Sequence, residues 1–190
     1  AILLPINNTA TIEAAIEAAQ AGDEIDLLAD ITASEIITIN KSVVIDLNGK
    51  TVTSTAKKAF EVYANATIMN GTIYGAERAV DTRKAVTLSL ADVALATTAT
   101  GVNTQPLTIG GSEDGTVVTL TNVNINAGAS GYGIITFVKT ELTATNSEIN
   151  GYSALYVKEG SAGSEFVFNN STLTGSNATN DVAGNSFSTI

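Results

Sequence analysis

Apolar and polar residues alternate in short runs along most of this chain, and the runs recur. The run from Val117 to Asn126 sets the plan: an apolar, an arbitrary, an apolar and an arbitrary residue, then Asn122, two further residues and Ile125. The same plan returns in Val86 to Leu95, Leu142 to Ile149 and Phe166 to Leu173, with an earlier copy in Ala66 to Ile73. A polar anchor followed three residues on by an aliphatic therefore occurs at Asn70/Ile73, Asp92/Leu95, Asn122/Ile125, Asn146/Ile149 and Asn170/Leu173. Asn48 with Val52 is a sixth copy, one residue longer. Consecutive anchors lie 22, 22, 30, 24 and 24 residues apart. Periods of roughly 20–50 residues mark solenoids, propellers and arrays. The runs are Thr- and Val-rich and alternate with period two, which is strand behaviour. No helical pattern lies between them, and a propeller blade needs about 40 residues. The pattern predicts a β-solenoid of about seven coils, one per period.

In such a coil, inward side chains stack on their counterparts above and below, and backbone hydrogen bonds run along the long axis. A stacked Asn at a corner can bond the anchor of the next coil through its amide and tolerates a left-handed backbone. Asp92 interrupts the row with a group that accepts hydrogen bonds but cannot donate them. A ligand-binding ladder is the functional alternative for the same row.

A helix is expected at the N-terminal end, in Thr11 to Gly22. Thr9 or Thr11 can cap it, Glu13 falls in its first turn, and Gly22 suits its left-handed end. Ile12, Ala15, Ile16 and Ala19 form one apolar face, suited to covering the open end of the first coil. Residues 1–8 are expected to be an extended lead-in. The longest insertion, 96–115, is expected to hold an extra strand at Leu107 to Ile109 and a protruding turn. No C-terminal cap is visible in residues 175–190. That stretch, with Val182 and Phe187 to Ile190, reads as a frayed coil or the start of a further one, in a chain that is either a fragment or pairs this end with another subunit.

The helix end Ala18 to Leu27, followed by Ile37 to Ile45 and then Asp46 to Val52, resembles the N-terminal cap and first coils of the pectate-lyase-like right-handed parallel β-helix superfamily. The resemblance covers residues 9 to about 75 by motif and the remainder by period. It implies an all-β fold: a single right-handed, single-stranded parallel β-helix over residues 1–190, with a cap helix at 9–22 and coils over 23–190. Its members include lyases, hydrolases, adhesins and phage tailspikes, so it implies little about activity.

Composition narrows the chemistry. Net charge is −10, which disfavours nucleic acid and repels acidic polysaccharides and anionic membranes unless a basic patch or bridging cation intervenes. The chain has no Cys and no His, which removes thiolate metal sites and the commonest general base. No apolar run is long enough to span a membrane, and no signal peptide is expected within the chain. With aromatics at 5%, the core must be built from aliphatics.

Lyases of the resembled fold hold Ca²⁺ with carboxylates and use Arg or Lys as base. The matching stretch is Glu77 to Lys84, where Arg83 or Lys84 beside Asp81 is the candidate base, and a solvated, self-paired turn is the plainer reading. The hydrolase motifs of the fold are missing. Asp23, Glu24, Asp26 and Asp30 are dense enough to raise Ca²⁺, although solvated charges near the cap account for them. Phe137 is expected in the core, while Tyr132 and Tyr152 are core residues or, if outside, a stacking platform for sugars. Thr51, Thr53, Thr119, Thr121, Thr143 and Thr145 form rows like those of ice-binding solenoids, but irregular ones. No catalytic, cofactor-binding or metal residue is assigned and no cofactor is expected. The expected role is a non-enzymatic bacterial cell-surface or secreted module, for adhesion, glycan contact or spacing. A polysaccharide lyase and a trimeric tailspike-like fibre are the alternatives. The expected partner is a polysaccharide or a host or cell-surface glycan, with self-association through the uncapped C-terminal coil; nucleic acid and membrane insertion are not expected.

Overall fold

The computed structural model describes residues 2–6, 9–101, 103–176 and 182–184. Strand β1 (Ile2–Ile6) and helix α1 (Thr9–Ala18) precede seven coils, each with three strand segments. Coil one holds β2 (Asp23–Leu27), β3 (Ile31–Ala33) and β4 (Ile37–Ile39). Coil two holds β5 (Val43–Asp46), β6 (Thr51–Ser54) and β7 (Lys58–Val62). In coils three and four the first two segments run together as β8 (Ala66–Gly75) and β10 (Thr87–Thr97), completed by β9 (Arg78–Thr82) and β11 (Leu107–Ile109). Coil five holds β12 (Thr116–Thr121), β13 (Asn124–Asn126) and β14 (Tyr132–Thr136), and coil six β15 (Thr140–Thr145), β16 (Glu148–Asn150) and β17 (Ser153–Val157). Coil seven holds β18 (Glu165–Asn169), β19 (Thr172–Thr174) and β20 (Val182–Gly184).

All the strand pairings are parallel and join each coil to the next. First and second segments form one 13-stranded sheet, folded lengthwise, and third segments form a 7-stranded sheet. The fold line is the anchor row. Asn48, Asn70, Asp92, Asn122, Asn146 and Asn170 all have φ between 49° and 60°. That left-handed conformation is open to Asn and Asp because their short polar side chains bond locally. The side chains also bond between coils. Asn70 Nδ2 donates to both Asp46 carboxylate oxygens at 3.1 Å, Asn122 Nδ2 to Asp92 Oδ1 at 3.0 Å, and Asn170 Nδ2 to Asn146 Oδ1 at 2.7 Å. Asp92 thus accepts from its neighbour, as its chemistry requires. Coil two is wider at this corner, and Gly71 accommodates it: a Cβ there would meet the Lys50 carbonyl oxygen at 2.5 Å.

Inward side chains stack by register. Ile25, Ile45, Ile68, Leu90, Leu120 and Ala144 align through the 13-stranded sheet, and the aliphatics beyond each anchor align as Ile31, Val52, Ile73, Leu95, Ile125, Ile149 and Leu173. Phe60, Val80, Leu107, Ile134 and Leu155 close the core from the other sheet.

Several expectations are corrected. The helix ends at Ala18, and Gly22, with φ 88°, serves the following turn into β2. Glu13 lies beyond the helix's first turn because α1 starts at Thr9. Its apolar face is as expected: Ile12, Ala15, Ile16 and Ala19 are buried against the first coil. The lead-in is extended as expected over Ile2–Ile6, and as β1 it also pairs with β2. Leu107 to Ile109 is not an extra strand but the regular third segment of its coil, paired on both sides, so the additional length lies in the links around it. At the C-terminal end Val182 belongs to β20, paired with β17, while 177–181 and 185–190, including Phe187 to Ile190, lie outside the described residues. Among the described residues no helix is long and apolar enough to cross a membrane.

The corner chemistry gives an ordered expectation. Asn122→Ala should cost about 2–3 kcal/mol, combining the left-handed penalty of about 1–2 kcal/mol with one hydrogen bond of about 1 kcal/mol. Asn122→Gly keeps the backbone freedom and should cost less. Urea unfolding of the two variants against the wild type checks the order; equal losses would mean that the corner conformation is not what Asn supplies.

Candidate functional site

The two sheets treat their outer faces differently. On the 13-stranded sheet burial alternates, as along β15 and β6. On the 7-stranded sheet it does not: the last four residues of β9 and β14 and all three of β11 are buried. In its outward row, Thr38, Glu61, Asp81, Thr108, Ile135 and Tyr156, the middle residues Asp81, Thr108 and Ile135 are buried under a second layer of side chains while Thr38, Glu61 and Tyr156 are half-buried.

The charged half of this layer centres on Asp81, which is 0% exposed. Register sets Glu61 of β7 opposite Asp81 of β9, and Lys58 opposite Arg78. Lys58 Nζ lies 2.6 Å from Asp81 Oδ2 and also pairs with Glu61. Arg78 donates to Asp81 Oδ2 at 3.0 Å, and the Arg83 guanidinium is 3.7 Å from Asp81 and 3.8 Å from Glu61. Tyr63 Oη donates to Glu61 at 3.1 Å. Among the described residues Asp81 Oδ1 and Arg78 Nε are buried without a partner. Burial by itself pushes the Glu61 carboxyl up, but the hydrogen bonds from Lys58 and Tyr63 and the charges of Lys58 and Arg83 hold it below its ordinary value.

Beside this cluster is a cleft of ≈240 Å³ lined by Arg78, Arg83, Thr108, Gly110, Gly111 and Phe137. A Cβ on Gly110 would meet its neighbours at ordinary contact distances of 3.5–3.9 Å, so the floor of the cleft is open rather than strained. The aromatic half of the layer continues over coils five and six. Tyr132 stacks obliquely on Tyr156 at 4.8 Å between ring centroids and meets Tyr152 edge-on at 6.1 Å. Lys158 Nζ sits 4.8 Å from the Tyr156 centroid, within cation–π range. Burial, then the neighbouring phenols Tyr156 and Tyr152, push the Tyr132 phenol above its ordinary value.

The layer is also electrostatically distinct. Within two residues of β4, β7, β9, β11, β14 and β17 lie Lys41, Lys57, Lys58, Arg78, Arg83, Lys84 and Lys158, against Glu35, Glu61, Glu77, Asp81 and Glu159. Around these six strands the sequence thus places seven cations and five carboxylates, in a chain whose net charge is −10.

These positions revise the sequence-derived candidates. The Glu77 to Lys84 stretch is self-paired, but it is a strand with a fully buried carboxylate rather than a solvated turn. Lys84 is exposed, while Arg83 lies between two carboxylates. Phe137 is 39% exposed and borders the cleft instead of joining the core, because it falls one residue beyond the end of β14. Tyr152, at 44% exposed, is also outside. Lys58 and Glu61 were not singled out, yet they lie 20 residues before Arg78 and Asp81, close to one coil period; that spacing is the signal that finds them.

The acidic stretch of coil one divides. Asp23 accepts from the Gln20 amide and Asp30 from the Thr51 amide, both at 2.8 Å. Glu24 and Asp26 instead meet Asp46 of the next coil, with one carboxylate oxygen from each within 4.8 Å of the others. Thr119 aligns with Thr143 and Thr121 with Thr145, whereas Thr51 and Thr53 lie across the fold line. The anchor row borders a polar groove of ≈470 Å³ containing Asn122, Asn146, Glu148 and Asn170.

The chain is a parallel β-solenoid of about 7 turns with one short N-terminal helix. No protein-family model matches it, and comparisons with curated proteins and with solved structures give no significant match.

The lowered Glu61 carboxyl makes a pH prediction. A depressed acid stabilises the fold fully above its unfolded value, about 4.3, and that contribution is lost as pH falls through the folded value. The wild type should therefore lose stability on acidification below about pH 4.3, and Glu61→Gln should show a shallower acid limb. Thermal melts across pH 3–7 check this; identical slopes would remove Glu61 from the acid response.

Proposed function

We propose that this chain is a non-enzymatic module of a secreted or surface-displayed bacterial protein, of the pectate-lyase-like β-helix kind, that contacts a polysaccharide through the outer face of its 7-stranded sheet. The carrying observation is the half-exposed aromatic group Tyr132, Tyr152 and Tyr156 on the same face as the cationic cleft. Aromatic faces stack on the apolar faces of sugar rings, and guanidinium groups pair with carboxylate or sulfate substituents. The rest of the chain is acidic and repels an anionic glycan, so the local excess of cations confines contact to this face.

A lyase reading fares worse on the same face. A general base must be free to reach a substrate proton, and Arg83 is already engaged beside the Glu61 and Asp81 carboxylates. Asp81 is sealed from solvent. The solenoid supplies a rigid mount, because each coil is hydrogen-bonded to the next along its strands.

Affinity electrophoresis against neutral and uronate-bearing polysaccharides tests this reading, with an assay for new chain ends in parallel. Retardation by a uronate-bearing polymer without new ends is expected. Tyr152→Ala should weaken it by about 2–12-fold, the range of an aromatic contact worth about 0.5–1.5 kcal/mol. Arg83→Gln should weaken it at low salt and reduce its salt sensitivity. Indifference to every polymer would sink glycan contact, and new chain ends would sink the non-enzymatic reading.

A further inference from the structure

We propose that Lys58 and Asp81 condense to an intramolecular isopeptide bond between the second and third coils, with Glu61 carrying the proton. The proposal does not depend on glycan contact. Lys58 Nζ rests 2.6 Å from Asp81 Oδ2 and also against Glu61, so amine, carboxyl and a second carboxylate already share one site. The side chains of Lys58, Glu61 and Asp81 are 14%, 16% and 0% exposed, which keeps bulk water from competing. Held in this way, a lysine and a carboxyl react as one molecule rather than as two, which is the largest contribution that positioning makes to a reaction of this type.

The present ion pairing leaves a defect that condensation removes. Oδ2 receives Lys58 and Arg78, while Oδ1 is buried with no partner. A buried carboxylate oxygen without a hydrogen bond is costly, whereas an amide carbonyl oxygen in the same place is neutral and costs less to leave unpaired. Charge burial also costs at Lys58, and the amide removes that too.

The step balances without any further reactant. Glu61 takes a proton from the Lys58 ammonium, leaving a neutral amine, and Nζ bonds to Asp81 Cγ. Arg78, beside Oδ2, and Arg83 farther out stabilise the negative charge that builds on the carboxyl oxygens. The Cγ–Oδ2 bond then breaks and the oxygen departs as water, carrying two protons that came from Nζ, one of them by way of Glu61. Oδ1 becomes the amide carbonyl oxygen, and Glu61 returns to carboxylate. Ammonium and carboxylate become one amide and one water, with no change in net charge. Glu61 is placed for the relay because its carboxylate already contacts the Lys58 ammonium. The product is a covalent staple between coils that are otherwise joined by hydrogen bonds and packing, and it leaves Arg78 and Arg83 with one fewer carboxylate to share beside the cleft.

Intact mass under denaturing conditions, measured on full-length chain purified as folded by circular dichroism, decides the matter. The wild type should be lighter than its sequence by the mass of one water. Trypsin should fail to cut after Lys58, and fragmentation should yield a branched peptide joining Lys58 to Asp81. Lys58→Met and Glu61→Gln should both have full sequence mass, with Glu61→Gln retaining the wild-type circular dichroism. A folded wild type at full mass overturns the proposal. So does a water loss that maps elsewhere, for example to a cyclised Asp114-Gly115 step, or a link that persists in Glu61→Gln.

Discussion

A coil of this protein cannot satisfy its own backbone. Its strand segments point their N–H and C=O groups along the long axis, so every amide is paired only if the coils above and below trace the same outline. Corners must therefore fall in line. The chain meets that requirement by placing a residue that accepts left-handed φ at the same corner of coils two to seven, at Asn48, Asn70, Asp92, Asn122, Asn146 and Asn170. Once the corner is fixed, the aliphatic beyond it is aimed inward in every coil, and the core follows as rows of like side chains. The insertion between Asp92 and Asn122 is tolerated because its extra length leaves as a loop around β11, without shifting the register on either side.

The same stacking that builds the core also builds the outer face. Side chains one coil apart are brought together whatever their charge, so Glu61 meets Asp81 and Asp26 meets Asp46. Such pairs are unfavourable unless cations or hydrogen-bond donors intervene. At Glu61 and Asp81, three cations converge: Lys58, Arg78 and Arg83. At Asp46, the Asn48 amide and the Asn70 side chain supply donors. Charge is thereby sorted between the faces. The 7-stranded sheet gathers most of the cations and an aromatic group, and the remainder of the surface stays acidic.

The buried Asp81 ties stability and reactivity together. Enclosing a carboxylate costs several kcal/mol unless its partners are close and well placed. Oδ2 has those partners and Oδ1 has none. An amide at this position keeps the packing and puts a neutral carbonyl where a carboxylate oxygen lacked a hydrogen bond, so the feature that looks like a flaw in an ion-pair network is the one that favours a covalent link between coils.

By itself the sequence determined the repeat, the parallel solenoid, the corner residues and the apolar face of the helix. All of these rest on short-range rules: period-two alternation, the left-handed tolerance of Asn, and helical spacing. It did not reveal most of the 7-stranded sheet as strands. Arg78 to Thr82, Tyr132 to Thr136 and Ser153 to Val157 are buried at four of five positions each, on both faces, so they carry no apolar–polar alternation to read. Tertiary structure alone decided which charges became neighbours. Lys58, Glu61, Arg78, Asp81 and Arg83 are close because coil stacking places residues about 20 positions apart side by side, and Phe137 is exposed because its strand ends one residue earlier. Local pattern fixes how a coil is bent, and stacking fixes what one coil sets against the next.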